Sequence, residues 1–446
     1  MDWKTIEECR EDFPALNRQR KGKPPIYLDN ACTTMVPRQV IASIEEYYTD
    51  YPACSGTRSR HWFAREVFER IEGTPGKGRE SSRRVIAGFI NASSEKEIIF
   101  TMNTTHALNM VALGFPFRSG DVVLLTDKEH NSNLLPWLKL QKAGRIKIDF
   151  TVSNDRDEFD LDAFEHKMKN NRVRLVSMSY TSNITGYTIP AREIIKIAHQ
   201  YGALVLLDAA QTAPHQRIDV QSLDVDFLAF SLHKMCGPRG VGVLYGKKEL
   251  LGQKPHEEDE ADHVIAPVFL GGATVANSTY NSYTLLLPPY RFEAGIQDYP
   301  AQIASGAAVQ YLQQIGMDRI REHVTSLNHF LSGEVMKRYG DTGWFRIIGP
   351  QDASKRGGIL TFEVKRPNAL GIAVELSEKS NIMIRDGALC VHPYFNKKFG
   401  SQWTRPLSHD EHRMVYRISC YFYNTIDECR IFLETLDEIF KERGNI

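Results

Sequence analysis

A chain of 446 residues is long enough to bury a sizeable core, and its length suggests two or three structural domains. Its 55 basic and 55 acidic side chains cancel, which excludes a broad one-signed field and, with it, nucleic acid or an anionic membrane as the main partner. A small-molecule substrate is the expectation that remains.

Met1 to Phe13 is charged from its second residue and lacks the apolar core of a secretory signal, and no later stretch approaches the length of a membrane span. The expectation is a cytoplasmic protein. The seven cysteines, Cys9, Cys32, Cys54, Cys236, Cys390, Cys420 and Cys429, are odd in number and form no C-x-x-C pair. That disfavours a disulfide framework or a structural zinc site, so reduced thiols are expected, at least one of them reactive, and no metal.

In chain order, the first interruption is Thr74-Pro75-Gly76-Lys77-Gly78, which breaks a helical pattern and lacks the spacing and following hydroxyl of a P-loop, so it reads as a bend. From about Glu97 to Tyr245 one theme recurs: a short β-branched apolar run, a polar loop, then a helical pattern. This predicts a parallel sheet with crossover helices, with functional residues in the loops at the strands' carboxyl ends.

The first strand, Ile98-Ile99-Phe100, leads to Asn103-Thr104-Thr105-His106 at the start of an apolar helix. Backbone amides and hydroxyls there suit an anion, although Thr104 and Thr105 equally serve as plain N-caps. After the strand Val122 to Thr126 comes Glu129-His130-Asn131-Ser132-Asn133; His130 is placed to stack on a ring and shuttle protons, or to be structural. The strand Arg174 to Ser179 precedes Asn183, a candidate for a ring hydroxyl or a substrate. The helix Ala191 to Tyr201 stops at Gly202 and feeds the apolar strand Leu204 to Asp208. A carboxylate at that buried end needs a cation, and a protonated pyridine nitrogen is one; capping the next segment is the plainer role. Gln211, one turn on, is placed to bond a ring hydroxyl oxygen.

The strand Phe227 to Ser231 runs into Leu232-His233-Lys234-Met235-Cys236-Gly237-Pro238-Arg239-Gly240-Val241, followed by the strand Gly242 to Tyr245. A lysine leaving a buried strand into a glycine-rich turn is suited to a Schiff base with a carbonyl cofactor such as pyridoxal 5′-phosphate, whereas an isolated lysine of this kind is more often a surface residue. Ser231 and His233 are near enough to complete a phosphate cup. Lys254 to His263 is a polar, mostly acidic run that reads as a solvated loop. After Ala301 the pattern changes to a helix (Ile303 to Ile315), mixed segments and a final helix Ile426 to Glu442, which predicts a smaller α+β unit.

Together these loops resemble the class-V aminotransferase family of fold type I pyridoxal-phosphate enzymes, and within it the cysteine desulfurases of the Suf type and the selenocysteine lyases. The likeness spans nearly the whole chain: Tyr27-Leu28-Asp29-Asn30-Ala31-Cys32-Thr33-Thr34, with Cys32 where the family has alanine, then Thr104-Thr105, Glu129-His130 with Asn133, Ser182-Asn183, Asp208-Ala209-Ala210-Gln211, the lysine loop, Arg291-Phe292-Glu293-Ala294-Gly295 and Tyr423-Asn424-Thr425. It implies an α/β fold in three parts: a segment 1–36 packing with the small domain, a large mainly parallel-sheet domain 37–300, and a small α+β domain 301–446. It also implies Lys234 as the cofactor lysine, Asp208 as the pyridine partner, Gln211 at the ring oxygen, His130 stacked on the ring, and phosphate contacts from Thr105, Ser231 and His233.

Arg385-Asp386-Gly387-Ala388-Leu389-Cys390-Val391-His392-Pro393 is similar to the Suf-type stretch that carries a carboxylate-binding arginine and a nucleophilic cysteine. The resemblance implies those roles for Arg385 and Cys390, with Ala388 and Leu389 where the family often has histidines. Arg58-Ser59-Arg60-His61 resembles an early active-site segment more loosely, and Arg58, His61 and Ala31 are expected near the substrate. Gly271-Gly272-Ala273-Thr274 resembles the segment that brings Thr274 to the phosphate of a partner chain in a homodimer. The implied reaction converts L-cysteine to L-alanine and leaves a Cys390 persulfide for iron–sulfur cluster assembly or thiolation. The sulfur acceptor is unknown; the alternatives are a selenocysteine lyase acting on L-selenocysteine or another class-V lyase, aminotransferase or epimerase.

Overall fold

The computed structural model describes residues 5–55, 59–73, 80–252, 264–365, 369–399 and 413–444. Its main sheet has seven strands in the spatial order Ile98–Thr101, Gly242–Gly246, Phe227–Ser231, Leu204–Asp208, Val173–Ser179, Val122–Thr126 and Lys147–Thr151. Neighbours run parallel except at Gly242–Gly246, which is antiparallel to both strands beside it. The central strands are apolar throughout because both faces are covered: Val205 and Leu207 enter one core, Leu206 the other. The edge strand Lys147–Thr151 is absent from the sequence expectation, since only Ile148 and Phe150, half-buried and separated by Asp149, give it an apolar side.

A second sheet of four antiparallel strands runs Phe345–Ile348, Ile359–Val364, Met414–Ser419, Arg385–Asp386. The amino-terminal segment joins it: Ile26–Tyr27 pairs in parallel with Ile382–Met383, and Ile26 and Leu28 lie in the same core as Phe362, Tyr416 and Phe432. A few residues later Thr34 N–H donates to the His233 carbonyl at 2.9 Å, so this short stretch ties the second sheet to the lysine loop of the first.

The helix expected over Ile303–Ile315 spans Tyr299–Ile315, begun by Asp298, whose carboxylate accepts the Ala301 N–H at 3.1 Å. It packs on the first core, not the second: Ile303, Val309 and Leu312 share a cluster with the sheet, and a Cβ on Gly306 would meet Ser82 at 2.8 Å. The next helix, Met317–Tyr339, spans both cores, with Ile320 and Val324 in the first and Leu327, Leu331 and Val335 in the second. The final helix, Ile426–Glu442, has the expected bounds. Glu293 of the Arg291–Gly295 motif is structural: its carboxylate accepts from buried Arg83 at 2.7 and 3.0 Å and from the Phe100 N–H at 2.7 Å. Among the described residues no helix is long and apolar enough to cross a membrane.

Candidate active site

The loops at the carboxyl ends of the parallel strands meet the second sheet around a cavity of about 290 Å3. Ala31, Thr104, Thr105, His130, Asn183, Asp208, Gln211, Ser231, His233, Lys234, Arg385 and Cys390 all line it. The strands supply the common origin, and the chain crossing from Leu28 to Thr34 closes one side.

Lys234 ends a short 3-10 turn after the strand Phe227–Ser231. Burial pushes its ammonium pKa down, a shift the Asp208 carboxylate partly offsets, which favours the free amine that attacks a carbonyl. Asp208 is buried and pushed up by desolvation, while the Ala210 N–H, donating to it at 2.9 Å, and Lys234 act in the opposite sense. Gln211 donates from Nε2 to the Ala31 carbonyl at 2.7 Å, and its buried Oε1 has no hydrogen-bond partner. A buried acceptor left open costs free energy unless a ligand donor meets it.

At the far end, Asn103 caps the helix Thr104–Gly114 by accepting the His106 N–H at 2.9 Å. Thr104 N–H donates to Ser231 Oγ at 2.8 Å, and the hydroxyls of Thr105 and Ser132 lie 2.7 Å apart. The helix N-terminus and the hydroxyls of Thr104, Thr105, Ser132 and Ser231 therefore border the cavity together, where the helix dipole and hydroxyl donors suit a phosphate dianion. Gly242 makes this possible, because a Cβ there would fall 2.6 Å from Asn103 Cα. An amine, a buried carboxylate, an open acceptor and an anion cup in one cavity fit pyridoxal 5′-phosphate.

His130 Nδ1 accepts the Ser132 N–H at 3.1 Å, so the proton of the neutral ring sits on Nε2. Burial pushes its pKa down to about 4, with Lys234, Arg417 and His392 adding to the shift. Its loop is fixed by buried Glu129, which accepts from Thr126 Oγ1 at 2.6 Å, Asn133 Nδ2 at 2.7 Å and Ser179 Oγ at 2.8 Å. A folded state that refuses a proton the unfolded chain accepts is most favoured above the ordinary value of 6.5 and loses that advantage as the pH falls toward 4. The parent protein is therefore expected to lose stability relative to a His130→Gln variant as the pH falls from 6.5 to 4, read as the difference in urea midpoints. A difference independent of pH over that range contradicts the assignment.

The Cys390 turn is held from the large sheet: Asn131 N–H donates to the Cys390 carbonyl and Asn183 Nδ2 to the Leu389 carbonyl, both at 2.8 Å. Leu389 and Cys390 are successive left-handed residues, φ +48° and +61°, a conformation that non-glycine residues hold only under constraint. Leu389, at one of the two positions where the family often has histidines, packs into an apolar cluster with Val391 and Phe395. The Asn183 amide thus anchors the cysteine turn.

Arg417, not singled out in the sequence, also lines the cavity. It pairs directly across the second sheet with Arg385, donates from Nη2 to Asp29 Oδ1 at 2.9 Å and from Nη1 to the Asn183 carbonyl at 3.1 Å, and leaves a buried Nε without a partner. Opposed residues of an antiparallel pair project from one face, so two guanidinium groups border the same space.

Among the described residues, His61 does not line this cavity, and neither does Thr274, which is expected at a partner chain's phosphate. His61 N-caps the helix Trp62–Ile71, its Nδ1 accepting the Ala64 N–H at 3.3 Å. Thr274 is buried in its own turn, donating from Oγ1 to the Gly271 carbonyl at 2.8 Å. Arg58, the Thr74–Gly78 bend and the Lys254–His263 run lie outside the described residues.

The model of the family "Aminotransferase class-V" matches residues 26–432. The chain belongs to that family. A probable cysteine desulfurase of Synechocystis sp. is 35% identical over 431 residues, 96% of this chain and 94% of the relative. The apo cysteine desulfurase of Thermococcus onnurineus superposes with a TM-score of 0.83 at 32% identity, covering 98% of both chains. The Escherichia coli cysteine desulfurase CsdA gives 0.81 at 26% identity, covering 98% of this chain and 99% of its own. This class-V chain has the large, mainly parallel sheet and flanking helices of that fold.

Proposed function

We propose that the protein is a pyridoxal-phosphate-dependent cysteine desulfurase, converting L-cysteine and the Cys390 thiol to L-alanine and a Cys390 persulfide. The observation that carries this reading is the placement of Lys234, Cys390 and two arginines around one cavity. When bound, pyridoxal 5′-phosphate supplies the electron sink that stabilises charge at the substrate α-carbon. Asp208 would hold the proton of its ring nitrogen, Gln211 Oε1 would accept from its ring hydroxyl, His130 would stack on its ring, and Thr104, Thr105, Ser231 and His233 would hold its phosphate. Arg417 and Arg385 bind the substrate carboxylate beside Ala31. Lys234 Nζ moves the α-proton, and Cys390 Sγ attacks the substrate sulfur, forming one S–S bond as the C–S bond breaks. Purified holoprotein given L-cysteine is expected to form alanine and protein-bound sulfane sulfur; no alanine would overturn the reading.

Arg417→Ala is expected to lower kcat/KM for L-cysteine about 10- to 100-fold, mainly through KM, the cost of roughly 1.5–3 kcal/mol for a lost charge-assisted bond. Arg385, which is exposed, is expected to matter less. Equal effects at both positions contradict this ranking of the two arginines.

The same reading includes a homodimer in which Thr274 reaches the partner's phosphate site, a cytoplasmic setting, and iron–sulfur cluster assembly or thiolation as the destination of the sulfur. Exposed Phe269 and Leu270 beside the Gly271–Thr274 turn support the dimer. Division into 1–36, 37–300 and 301–446 is supported by two sheets with separate cores, and is least sharp at the helix Tyr299–Ile315, which packs on the first core, and the helix Met317–Tyr339, which both cores share.

A further inference from the structure

Cys32 lines the cavity together with Cys390 and Lys234, and the charge on either sulfur acts on the Lys234 ammonium. Cys9, Cys236, Cys420 and Cys429 are buried, and Cys54 is exposed and not among the described residues lining the cavity. Cys32 and Cys390 sit on turns bound to one another through four residues. Cys32 N–H donates to the Asp29 carbonyl at 3.1 Å; Asp29 Oδ1 accepts from Arg417 at 2.9 Å; Arg417 donates to the Asn183 carbonyl at 3.1 Å; and Asn183 donates to the Leu389 carbonyl at 2.8 Å. On its other side the Cys32 turn is pinned to the lysine loop, where Thr33 Oγ1 and Thr34 N–H both donate to the His233 carbonyl at 2.9 Å. Two buried, unpartnered polar atoms, Arg417 Nε and Gln211 Oε1, belong to residues of this cavity, so the cavity that the two thiols share is one that a ligand completes.

We propose that Cys32 is a second sulfur carrier that takes the sulfane sulfur from Cys390, an inference that rests on the desulfurase reading. The Cys32 thiolate attacks the outer sulfur of the Cys390 persulfide. A new S–S bond forms at Cys32 Sγ, the S–S bond at Cys390 breaks, and Cys390 departs with the electron pair as a thiolate while the outer sulfur keeps its proton. One persulfide replaces another, so the exchange requires neither oxidant nor reductant. The outer sulfur stands about 2 Å beyond Cys390 Sγ, so the transfer spares the two Cβ atoms the approach to about 3.8 Å that a disulfide demands. Cys390 is then free for a second substrate before any external acceptor arrives.

The test mixes holoenzyme rapidly with L-cysteine and no other thiol or acceptor, counts the alanine formed per active site in the burst phase, and maps sulfane sulfur by alkylation and mass spectrometry. The parent is expected to release about two equivalents of alanine and to carry sulfur on both cysteines. Cys32→Ser and Cys32→Ala are expected to release about one, with sulfur on Cys390 alone. Cys390→Ala is expected to leave Cys32 unlabelled. Alanine formed by the parent with Cys32 unlabelled, a Cys32–Cys390 disulfide with released hydrosulfide, or sulfur on Cys32 in the Cys390→Ala protein would each overturn the relay alone. Absence of alanine from the parent removes the desulfurase reading and the relay with it.

Discussion

Cys390→Ala is expected to lower alanine formation from L-cysteine by at least about 10^3-fold, as removal of a nucleophile does, while the protein still binds pyridoxal phosphate. The two effects separate because the turn is held through its main chain: the Cys390 carbonyl accepts from Asn131 and the Leu389 carbonyl from Asn183. Alanine carries the same Cβ as cysteine, so the left-handed φ of +61° at this position costs the variant no more than the parent. Thermal unfolding and the cofactor's visible absorption are therefore expected to stay close to the parent's. Full activity on L-cysteine in this variant would make the thiol incidental and return the protein to the other reactions of its family.

Lys234→Ala is expected to abolish turnover as well, again by about 10^3-fold or more, because both the amine that holds the cofactor and the base at the α-carbon are lost. Its signature differs from that of Cys390→Ala. The visible absorption changes along with the activity, and the fold does not weaken, since Lys234 is a desolvated amine whose burial is itself unfavourable. A variant that keeps its turnover would show that another group moves the α-proton. A kcat fall accompanied by a collapse of thermal stability would place Lys234 in the scaffold rather than in the chemistry.

Much of this site is legible in the sequence because parallel-sheet topology gathers what the chain disperses. Each residue from Thr104 to Lys234 follows its strand within a few positions, so a strand end and a polar loop suffice to nominate it. Arg417 escapes that logic. It sits inside the apolar strand Met414–Ser419, where one basic residue looks like a solvent-facing alternation, and only the pairing with Arg385, a non-local register, turns it toward the cavity. Asn183 is found for the right place but not for its anchoring task, because its partner, the Leu389 carbonyl, lies more than two hundred positions away. His61 is expected near the substrate on a loose family resemblance alone, and the sequence gives no sign that its ring accepts a helix N–H, a role usually filled by serine, threonine, aspartate or asparagine. The helix Tyr299–Ile315 shows the same limit at the level of the fold, since the helical pattern is readable but the core that it joins is not.

The most direct measurement is borohydride reduction of the holoprotein followed by peptide mapping, since reduction fixes the coenzyme to the amine that holds it. The coenzyme is expected on the peptide that contains Lys234, the lysine whose ammonium is destabilised beside the buried Asp208. Coenzyme fixed to any other lysine would contradict the account.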